Sequence, residues 1–420
     1  MAVPGARSLV SEIMPKGYAI SDTKNWTDFK VIDFDLKKPA DDDIDVAITH
    51  CGICGSDLHT ISGGWGPLKV PAVIPGHEIV GKVTQVGKNV KDIKVGDRVG
   101  IGAQVGSCMN CRPCKTDNEN YCIGDGKGHM VDTYNSIWPD GSVAQGGYST
   151  NIRAPEQFVF PLPDGLASEH AAPMLCAGLT LYSPLYRQNV GPGMRVGIVG
   201  IGGLGHFGVM FAKAMGADVV AISHSKSKKD DALKMGATTF VSTKEEPNWA
   251  ERFQDPPFDL IINTASSSAV DVPAMLSALK PEGRLICVGM PEDEIKLRAQ
   301  DLAGRGTVCW QAQHAQTTDL AAAWQQPHWL QERGAQHVQA RRGEGREALD
   351  RAGGHEGLLQ GRGARVQGRQ YVPTSASTRA DRQSATASSS SRTLLKPAES
   401  HSRLAGRTVV PRLYQPLPSH

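Results

Sequence analysis

Residues 195–205 read RVGIVGIGGLG, and this stretch decides the fold of the second half of the chain. A short apolar run, typical of a buried strand, passes into a glycine-rich turn and then into a helical pattern, LGHFGVMFAKAMG. The spacing G-x-G-x-x-G in a strand–turn–helix context indicates a dinucleotide site. Glycines let the backbone approach the pyrophosphate, which lies at the positive end of the helix. The predicted contacts are Gly200, Ile201, Gly202, Gly203, Leu204 and Gly205.

Strands and helices alternate beyond that turn. The predicted order continues with strand ADVVAIS, helix KKDDALKMG, strands TTFVS and FDLIINTA, helix VDVPAMLSALK and strand GRLICVGM. Such alternation favours a parallel sheet that is covered on both faces. We therefore predict a doubly wound α/β domain.

The end of the second strand of this domain predicts which dinucleotide binds. In NAD sites a carboxylate about 20 residues after the glycines binds the ribose hydroxyls. Here VVAI is followed by SHSKSK, residues 223–228, without a carboxylate. Hydroxyl and cationic side chains suit a 2′-phosphate, so we predict NADP(H); a solvated polar turn is the alternative. The predicted contacts are Ser223, His224, Ser225 and Lys228.

Four of the nine cysteines lie close together, within a region of short β-branched runs and turns from about residue 45 to 182. They read C-x2-C-x2-C-x7-C, and four thiolates this close can surround Zn2+ with no open position, as in a structural site. Four reduced loop cysteines are one alternative. An iron–sulfur cluster is another, although the usual cluster runs differ in spacing. The predicted ligands are Cys108, Cys111, Cys114 and Cys122.

A second metal set is spread over three segments. CGICGSDLH contains Cys54, PGHE contains His77 and Glu78, and APMLCAGLT contains Cys176. Two thiolates and an imidazole suit a catalytic zinc with one position left for water or substrate. Glu78 is either a fourth, exchangeable ligand or an outer carboxylate. Asp57 is either the acceptor of the second ring N–H of His77 or a turn residue.

This second set suits carbonyl chemistry. Hydride addition to an aldehyde leaves negative charge on oxygen, which zinc stabilises as a Lewis acid. Ser56, two residues after Cys54, is expected to hydrogen-bond that oxygen. His59 is expected to pass a proton between the oxygen and solvent. We therefore predict both residues as catalytic.

Together these motifs resemble the medium-chain zinc-dependent alcohol dehydrogenases of the cinnamyl-alcohol-dehydrogenase type, and within it the fungal NADPH-dependent, broad-specificity members. The resemblance covers about residues 18–305 and rests on CGIC, VPAVIPGHEIVGKV, VGDRVGIGAQVGSC, the four-cysteine run, AQGGYS, CAGLTLYSPL, GPGMRVGIVGIGGLGH and DALKMGA. It implies a GroES-like, β-rich catalytic domain with the structural zinc lobe over residues 1–182 and a Rossmann domain over residues 183–310. It also implies cofactor contacts at Ser56, Thr180, Thr264 and Gly289.

The resemblance further implies interconversion of an aldehyde and a primary alcohol, a preference for aromatic and medium aliphatic aldehydes, and a homodimer. Trp65 would then line the substrate pocket or serve packing. After VGMPE, however, the next βα unit and the strand at the dimer edge are not recognisable. The Rossmann domain is therefore expected to be incomplete, which leaves dimerisation and activity of the chain open.

The composition changes after about residue 305. Residues 1–310 contain 20 Lys and 10 Arg, whereas residues 311–420 contain 1 Lys, 14 Arg and no Ile, Met, Phe, Cys or Asn. A segment this poor in branched and aromatic side chains buries little apolar surface. We interpret residues 311–420 as a low-order tail, either genuinely disordered or, as we favour, translated from a shifted reading frame.

The whole chain sets broader limits. It has 420 residues, 40% of them hydrophobic, and a net charge of +2, which does not indicate nucleic acid or an acidic membrane surface. No secretory signal and no apolar run of about 18 residues occurs, so a cytoplasmic protein is expected.

Three other functions are open. A zinc-free quinone reductase disagrees with the two metal sets, and a polyol dehydrogenase disagrees with the serine- and lysine-rich strand end. A non-catalytic remnant that still binds zinc and nucleotide is the alternative outside enzymes.

Overall fold

The computed structural model of the chain describes residues 14–302 and the backbone of residues 307–310. The predicted tail over residues 311–420 lies outside the described residues. Everything described belongs to one compact unit. Within this part of the chain, no helix combines the length and apolar character that crossing a bilayer requires.

Short strands build the first half: β1 Lys16–Ala19, β2 Lys30–Asp33, β3 Asp43–Gly52, β4 Glu78–Val86, β5 Arg98–Ile101, β6 Gln104–Gly106, β7 Val131–Asp132, β8 Ser136–Ile137, β9 Val143–Ala144, β10 Asn151–Pro155 and β11 Phe160–Pro161. Five form an antiparallel sheet in the order β10-β3-β4-β5-β11, and the others pair in twos. Alternating Ile and Val side chains of β3 and β4, among them Ile44, Val46 and Ile79, fill the core beneath this sheet. The predicted β-rich half is confirmed.

Helix α1, Gly55–Ile61, follows β3 directly. A longer helical segment after β11 consists of α2 Ser168–Pro173, a π-helical turn Met174–Gly178 and α3 Leu179–Arg187. Pro173 has no backbone N–H to donate, and the wider π turn begins directly after it. This turn lies against β5, where a Cβ on Gly100 would stand 2.7 Å from the Leu175 side chain. The missing side chain at Gly100 thus leaves room for Leu175 of the π turn, which also carries Cys176.

A six-stranded parallel sheet forms the second half: β12 Arg195–Val199, β13 Asp218–Ser223, β14 Thr239–Ser242, β15 Phe258–Asn263, β16 Leu279–Cys287 and β17 Thr307–Trp310. Helices α4 Gly205–Ala214, α5 Lys229–Lys234 and α6 Val272–Ser277 connect its strands. The strand order is β14-β13-β12-β15-β16-β17. The chain direction across the sheet reverses between β12 and β15, and ligands bind at such a point beyond the carboxyl ends of the strands. The predicted doubly wound domain is confirmed.

Cores on both faces of the parallel sheet hold these helices. On one face α3 and α4 pack together, and the ring of Phe211 contacts the rings of Tyr182 and Phe207. On the other face Trp249, Phe253 and α6 pack over β15 and β16. Short 3-10 turns connect the larger elements at Thr23–Asn25, Cys114–Thr116, Glu119–Tyr121, Glu156–Phe158, Lys226–Lys228, Trp249–Phe253 and Ala299–Leu302.

One helix ends earlier than the sequence pattern predicts. The pattern VDVPAMLSALK predicts a helix to Lys280, but α6 ends at Ser277 and β16 begins at Leu279. The helical backbone conformation is disfavoured for a residue that precedes proline, and Lys280 precedes Pro281. Glu282 also has a φ of 62°, in the left-handed region. The backbone restrictions at Lys280 and Glu282 therefore end the helix earlier than the spacing of its apolar residues predicts.

Candidate active site

Strand register brings the scattered metal-ligand candidates together. In the β3–β4 pair, Gly52 at the end of β3 is directly opposite Glu78 at the start of β4. Cys54 follows β3 by two residues and His77 precedes β4 by one, so both lie at the same end of the sheet. The π turn adds Cys176 from the third segment. The three segments are far apart in sequence, and the fold supplies the proximity.

The four candidate groups form a compact donor set. One ligand atom from each of Cys54, His77, Glu78 and Cys176 lies within 4.8 Å of all the others. The two sulfurs are 3.8 Å apart, and His77 Nε2 is 3.2 Å from Cys176 Sγ. A tetrahedral site with Zn–S bonds of about 2.3 Å separates its sulfurs by about 3.8 Å. Both the chemistry and the spacing of this set fit zinc.

The ligand side chains differ in how readily they ionise. Interaction with Cys176 and with His77 lowers the pKa of Cys54 to about 4. Interaction with Cys54, together with burial, raises the pKa of Cys176 well above its ordinary value. Burial raises the pKa of Glu78 to about 8. Of the two thiols, Cys54 therefore ionises more readily than Cys176.

Asp57 lies behind His77 as the sequence pattern predicts. Its side chain is 1% exposed, and Asp57 Oδ1 is 3.2 Å from His77 Nδ1. Burial favours the neutral acid, but hydrogen bonds from His77 and the Cys54 backbone lower the pKa of Asp57. Burial also opposes charge on His77, but Asp57 and Cys54 together raise its pKa. The contact with Asp57 keeps a proton on Nδ1, and a bound metal ion would replace the proton on Nε2.

Asp57 also accepts hydrogen bonds from groups that the sequence analysis did not connect with it. The Tyr148 hydroxyl donates to Asp57 Oδ2 at 3.0 Å, and the backbone N–H groups of Cys54 and Gly76 donate at 2.9 and 3.1 Å. Tyr134 also interacts with Asp57, and its ring stacks on His77 with centroids 5.7 Å apart. Tyr148 belongs to the AQGGYS motif, but nothing in the motif tells which group its hydroxyl contacts.

Glu78 is buried in direct contact with the backbone of the opposite strand. A Cβ on Gly52 would overlap with Glu78 Oε2, far inside the 3.0 Å that real Cβ atoms keep from their neighbours. Only glycine at position 52 leaves room for the carboxylate in this orientation. The glycine in CGIC thus leaves space for Glu78 beside the other donors. This position favours Glu78 as a fourth ligand over Glu78 as an outer carboxylate.

The four-cysteine lobe gathers as its spacing predicts. All four sulfurs lie within 4.8 Å of one another. The individual separations are 3.9 Å for Cys108 and Cys114, 3.4 Å for Cys111 and Cys114, and 4.0 Å for Cys111 and Cys122. Backbone N–H groups of Cys108 and Gly124 donate to Cys122 Sγ at 3.3 and 3.4 Å. Four converging sulfurs with backbone donors fit a closed zinc site.

The two predicted catalytic side chains on α1 differ in their surroundings. Ser56 Oγ lies 3.5 Å from Cys54 Sγ. The His59 ring stacks on Trp65, with centroids 4.9 Å apart and planes 17° apart. His59 Nδ1 also lies 2.5 Å from Glu292 Oε1, a carboxylate that the sequence analysis did not single out. Ser56 is therefore beside the donor set, and His59 contacts a carboxylate from the second half of the chain.

The glycine-rich turn leaves β12 at the reversal point of the parallel sheet. Gly200 has a φ of 86°, and a Cβ on Gly205 would overlap with Gly200 O. A Cβ on Gly202 or Gly203 would meet nothing within 4 Å. Thr264 Oγ1 donates to Gly200 O at 2.7 Å and so braces the turn. Gly200 and Gly205 thus make the turn tight, and Gly202 and Gly203 leave open backbone for a pyrophosphate.

The end of β13 carries the predicted phosphate contacts. Ser223 ends β13, and the hydroxyls of Ser225 and Ser227 lie 2.9 Å apart. Lys226 pairs with Glu245 at 3.2 Å. Within the described residues no ion pair involves Lys228, which leaves its ammonium group available to an anion. His224 is exposed beside them.

The other predicted residues lie elsewhere in the fold. Thr180 is buried in α3, four residues after Cys176. A Cβ on Gly289 would overlap with Ala265 O, so this glycine packs against the segment after β15. Trp65 is half-buried, and among the residues that the structure describes its buried Nε1 has no hydrogen-bond partner.

Comparison with known families gives matches to both halves of the chain. Residues 40–164 match the Alcohol dehydrogenase GroES-like domain, and residues 203–325 match the Zinc-binding dehydrogenase family. The NADP-dependent alcohol dehydrogenase 6 of Saccharomyces cerevisiae is 48% identical over 279 residues, which are 66% of this chain and 76% of the relative. Cinnamyl alcohol dehydrogenase 2 of Rauvolfia serpentina is 44% identical over 284 residues, 66% of this chain and 76% of the relative.

Solved structures give the same result. A cinnamyl alcohol dehydrogenase from Sorghum bicolor superimposes with a TM-score of 0.68 and 35% identity, over 77% of this chain and 88% of that chain. The cinnamyl alcohol dehydrogenase of Helicobacter pylori, solved as a complex with NADP(H), gives a TM-score of 0.65 and 36% identity, over 73% and 85% of the two chains. The likeness covers both sheets.

Proposed function

Because the chain belongs to the medium-chain zinc-type alcohol dehydrogenases, we propose that it transfers a hydride between NADPH and an aldehyde to give a primary alcohol, and the reverse. The donor set of Cys54, His77, Glu78 and Cys176, with ligand atoms within 4.8 Å of one another, carries this proposal. Cys54, His77 and Cys176 would hold the zinc ion through two sulfurs and one nitrogen, with Glu78 as an exchangeable fourth donor.

The residues around the pocket have separate parts in the proposed reaction. When bound, the zinc ion polarises the carbonyl group and NADPH supplies the hydride. Hydride addition leaves negative charge on the substrate oxygen. Ser56, at 3.5 Å from Cys54 Sγ, is proposed to donate its hydroxyl hydrogen bond to that oxygen. His59, with 27% of its side chain exposed, is proposed to carry the proton in from solvent.

Asp57 and Glu78 are proposed to act on the ligands rather than on the substrate. Asp57 fixes the ring of His77 through Nδ1, so that Nε2 stays with the other donors. Glu78 is proposed as an exchangeable ligand that would hold the ion together with Cys54, His77 and Cys176. The cysteines at 108, 111, 114 and 122 are proposed as the structural zinc site, since four thiolates close a tetrahedral shell.

NADP(H) is the proposed dinucleotide, in keeping with the NADP-dependent relatives. The bare turn at Gly202 and Gly203 is proposed to take the pyrophosphate. Ser223, Ser225 and Lys228 are proposed to hold the 2′-phosphate, with His224 beside them. Thr180, Thr264 and Gly289 are proposed contacts nearer the nicotinamide end.

Aromatic and medium aliphatic aldehydes are the proposed substrates. The half-buried Trp65, which stacks on His59, supports a flat apolar surface near the reacting carbon. Residues 1–182 are proposed as the catalytic domain and residues 183–310 as the nucleotide-binding domain. A homodimer and a cytoplasmic location stay predictions.

Turnover by the purified full-length chain tests the proposal. The rate of NADPH oxidation is measured with cinnamaldehyde, benzaldehyde and hexanal, with NADH and a polyol with NADP+ as comparisons, and zinc is determined on the same sample. We expect aldehyde reduction with NADPH and two zinc equivalents. Zinc-loaded, folded protein that turns over none of these substrates would instead favour the non-catalytic remnant.

A further inference from the structure

We propose that Glu292 is a positioning residue for proton transfer: it reaches from the nucleotide-binding half onto His59 and holds the imidazole in its working orientation. The inference rests on the proposed function, in which His59 passes a proton. It adds a residue from the opposite half of the chain to that step.

The segment that carries Glu292 is anchored in the nucleotide-binding half. Strand β16 ends at Cys287, so Glu292 stands five residues beyond it. Backbone N–H groups of Val288 and Gly289 donate to Asn263 O at 2.9 and 3.2 Å, which ties the start of this segment to the end of β15. The start of the segment that carries Glu292 is therefore tied to the parallel sheet.

The contact between Glu292 and His59 is short. Glu292 Oε1 lies 2.5 Å from His59 Nδ1, and 27% of the His59 side chain and 46% of the Glu292 side chain are exposed. A carboxylate at this distance from Nδ1 holds the proton on that nitrogen, as carboxylates beside histidines do. Nε2 is then the nitrogen that gives a proton to the substrate oxygen and regains one from water.

The segment after α1 leaves space for the Glu292 carboxylate. A Cβ on Gly64 would overlap with Glu292 Oε1, so the carboxylate lies directly on bare backbone. Trp65, the next residue, stacks on the His59 ring with a centroid distance of 4.9 Å, and its backbone N–H donates to His59 O at 3.3 Å. The ring is thus held by stacking and by one carboxylate.

The consequence is a link between the two halves of the chain. His59 is fully oriented only when the segment after β16 lies against α1. Gly289, near the start of that segment, is a proposed cofactor contact, so the same segment that meets the dinucleotide also orients the proton carrier.

Turnover of full-length, zinc-loaded protein tests this role. We expect Glu292→Gln to lower kcat for aldehyde reduction about tenfold, since it removes a charge-assisted hydrogen bond. We expect His59→Gln to lower kcat about 100-fold, the scale of lost general acid catalysis. The double variant should be no slower than His59→Gln alone. Glu294→Gln, the same change two residues away on an exposed side chain, is the matched control and should match wild type.

Two readouts separate positioning from a general structural effect. The solvent deuterium isotope effect on kcat should rise in Glu292→Gln, because proton transfer becomes slower, while zinc content and the Kd for NADPH stay unchanged. Gly64→Ala should reproduce the loss, because its methyl group takes the space of the carboxylate. Equal kcat for Glu292→Gln and Glu294→Gln, or a tenfold loss that persists in the His59→Gln background, would overturn the proposal.

A chemical readout keeps the test independent of turnover. Diethyl pyrocarbonate modifies imidazole nitrogens, and mass spectrometry gives the rate at His59. We expect faster modification in Glu292→Gln than in wild type or Glu294→Gln. If wild type reduces no aldehyde, the proposed function fails, and this rate alone still decides whether Glu292 protects His59. Unchanged modification rates would refute the contact.

Discussion

The hydroxyl of Tyr148 donates to Asp57 Oδ2 across 3.0 Å, and Asp57 in turn holds His77 through Nδ1 at 3.2 Å. Burial raises the pKa of Tyr148 well above its ordinary value, so the phenol stays a donor at neutral pH. Tyr148, which lies outside the donor set, thus supports the orientation of His77 through Asp57.

Loss of that hydroxyl should weaken the catalytic zinc site. We expect Tyr148→Phe to lower zinc affinity about tenfold, at the lower end of the effect of outer contacts on metal sites. Competition with a chromogenic chelator measures this affinity. Tyr186→Phe, at a tyrosine that is 50% exposed, is the control and should keep wild-type affinity. Equal affinities for the two variants would contradict the support role of Tyr148.

A methyl group at position 52 should disturb the same pocket from the opposite strand. Gly52→Ala places a Cβ on top of Glu78 Oε2, so the carboxylate must leave its position. We expect a loss of about 1–3 kcal/mol in the free energy of unfolding, the usual cost of overpacking. Denaturant unfolding measures it. Gly55→Ala, where a Cβ meets nothing within 4 Å, should be close to neutral; similar losses in both variants would refute the clash.

Removal of one lobe cysteine should cost one zinc ion. Cys111→Ser breaks a set in which every sulfur lies within 4.8 Å of the others, and the remaining three cannot close the shell. We expect total zinc to fall by one equivalent and the Tm to fall with it, because metal binding contributes to folding. Elemental analysis and calorimetry give both values. Cys51→Ala lies outside both donor sets and should leave zinc unchanged; an unchanged zinc content in Cys111→Ser would exclude the lobe as a site.

Charge at the end of β13 should control the choice of dinucleotide. Ser223→Asp places a carboxylate where a 2′-phosphate is proposed to bind, so like charges would repel. We expect NADPH affinity to fall at least about tenfold, or about 1.4 kcal/mol, with NADH affected far less. Fluorescence titration with each dinucleotide measures the ratio. An unchanged preference for NADPH over NADH would remove Ser223 from the proposed phosphate site.

Local patterns predicted the parts of the fold that depend on neighbouring residues. The turn at 200–205, the four-cysteine lobe and the alternation of strands and helices all follow from short-range spacing. The predicted end of α6 was wrong by three residues, since Pro281 and Glu282 impose backbone limits that the apolar period does not reveal.

Partners that are distant in sequence were harder to predict. For Asp57 the sequence left two roles open, acceptor of the second His77 ring N–H or turn residue, and the structure shows the contact with His77. The contacts of Tyr148 and Glu292 were not expected, because both join residues that are far apart in sequence. Glu292 in particular is 233 residues from His59 along the chain, and no local period connects them.

The pairing of Gly52 with Glu78 has a consequence for how the chain matures. A slip of one residue between β3 and β4 would turn every side chain of one strand to the opposite face. Ile79 would then stand where Glu78 should be, and Cys54 and His77 would no longer meet. A misaligned β3–β4 pair thus offers a cation an incomplete donor set, whereas the native pairing offers the complete set. An ion bound at this set would therefore stabilise a chain with correctly aligned strands over a misaligned one.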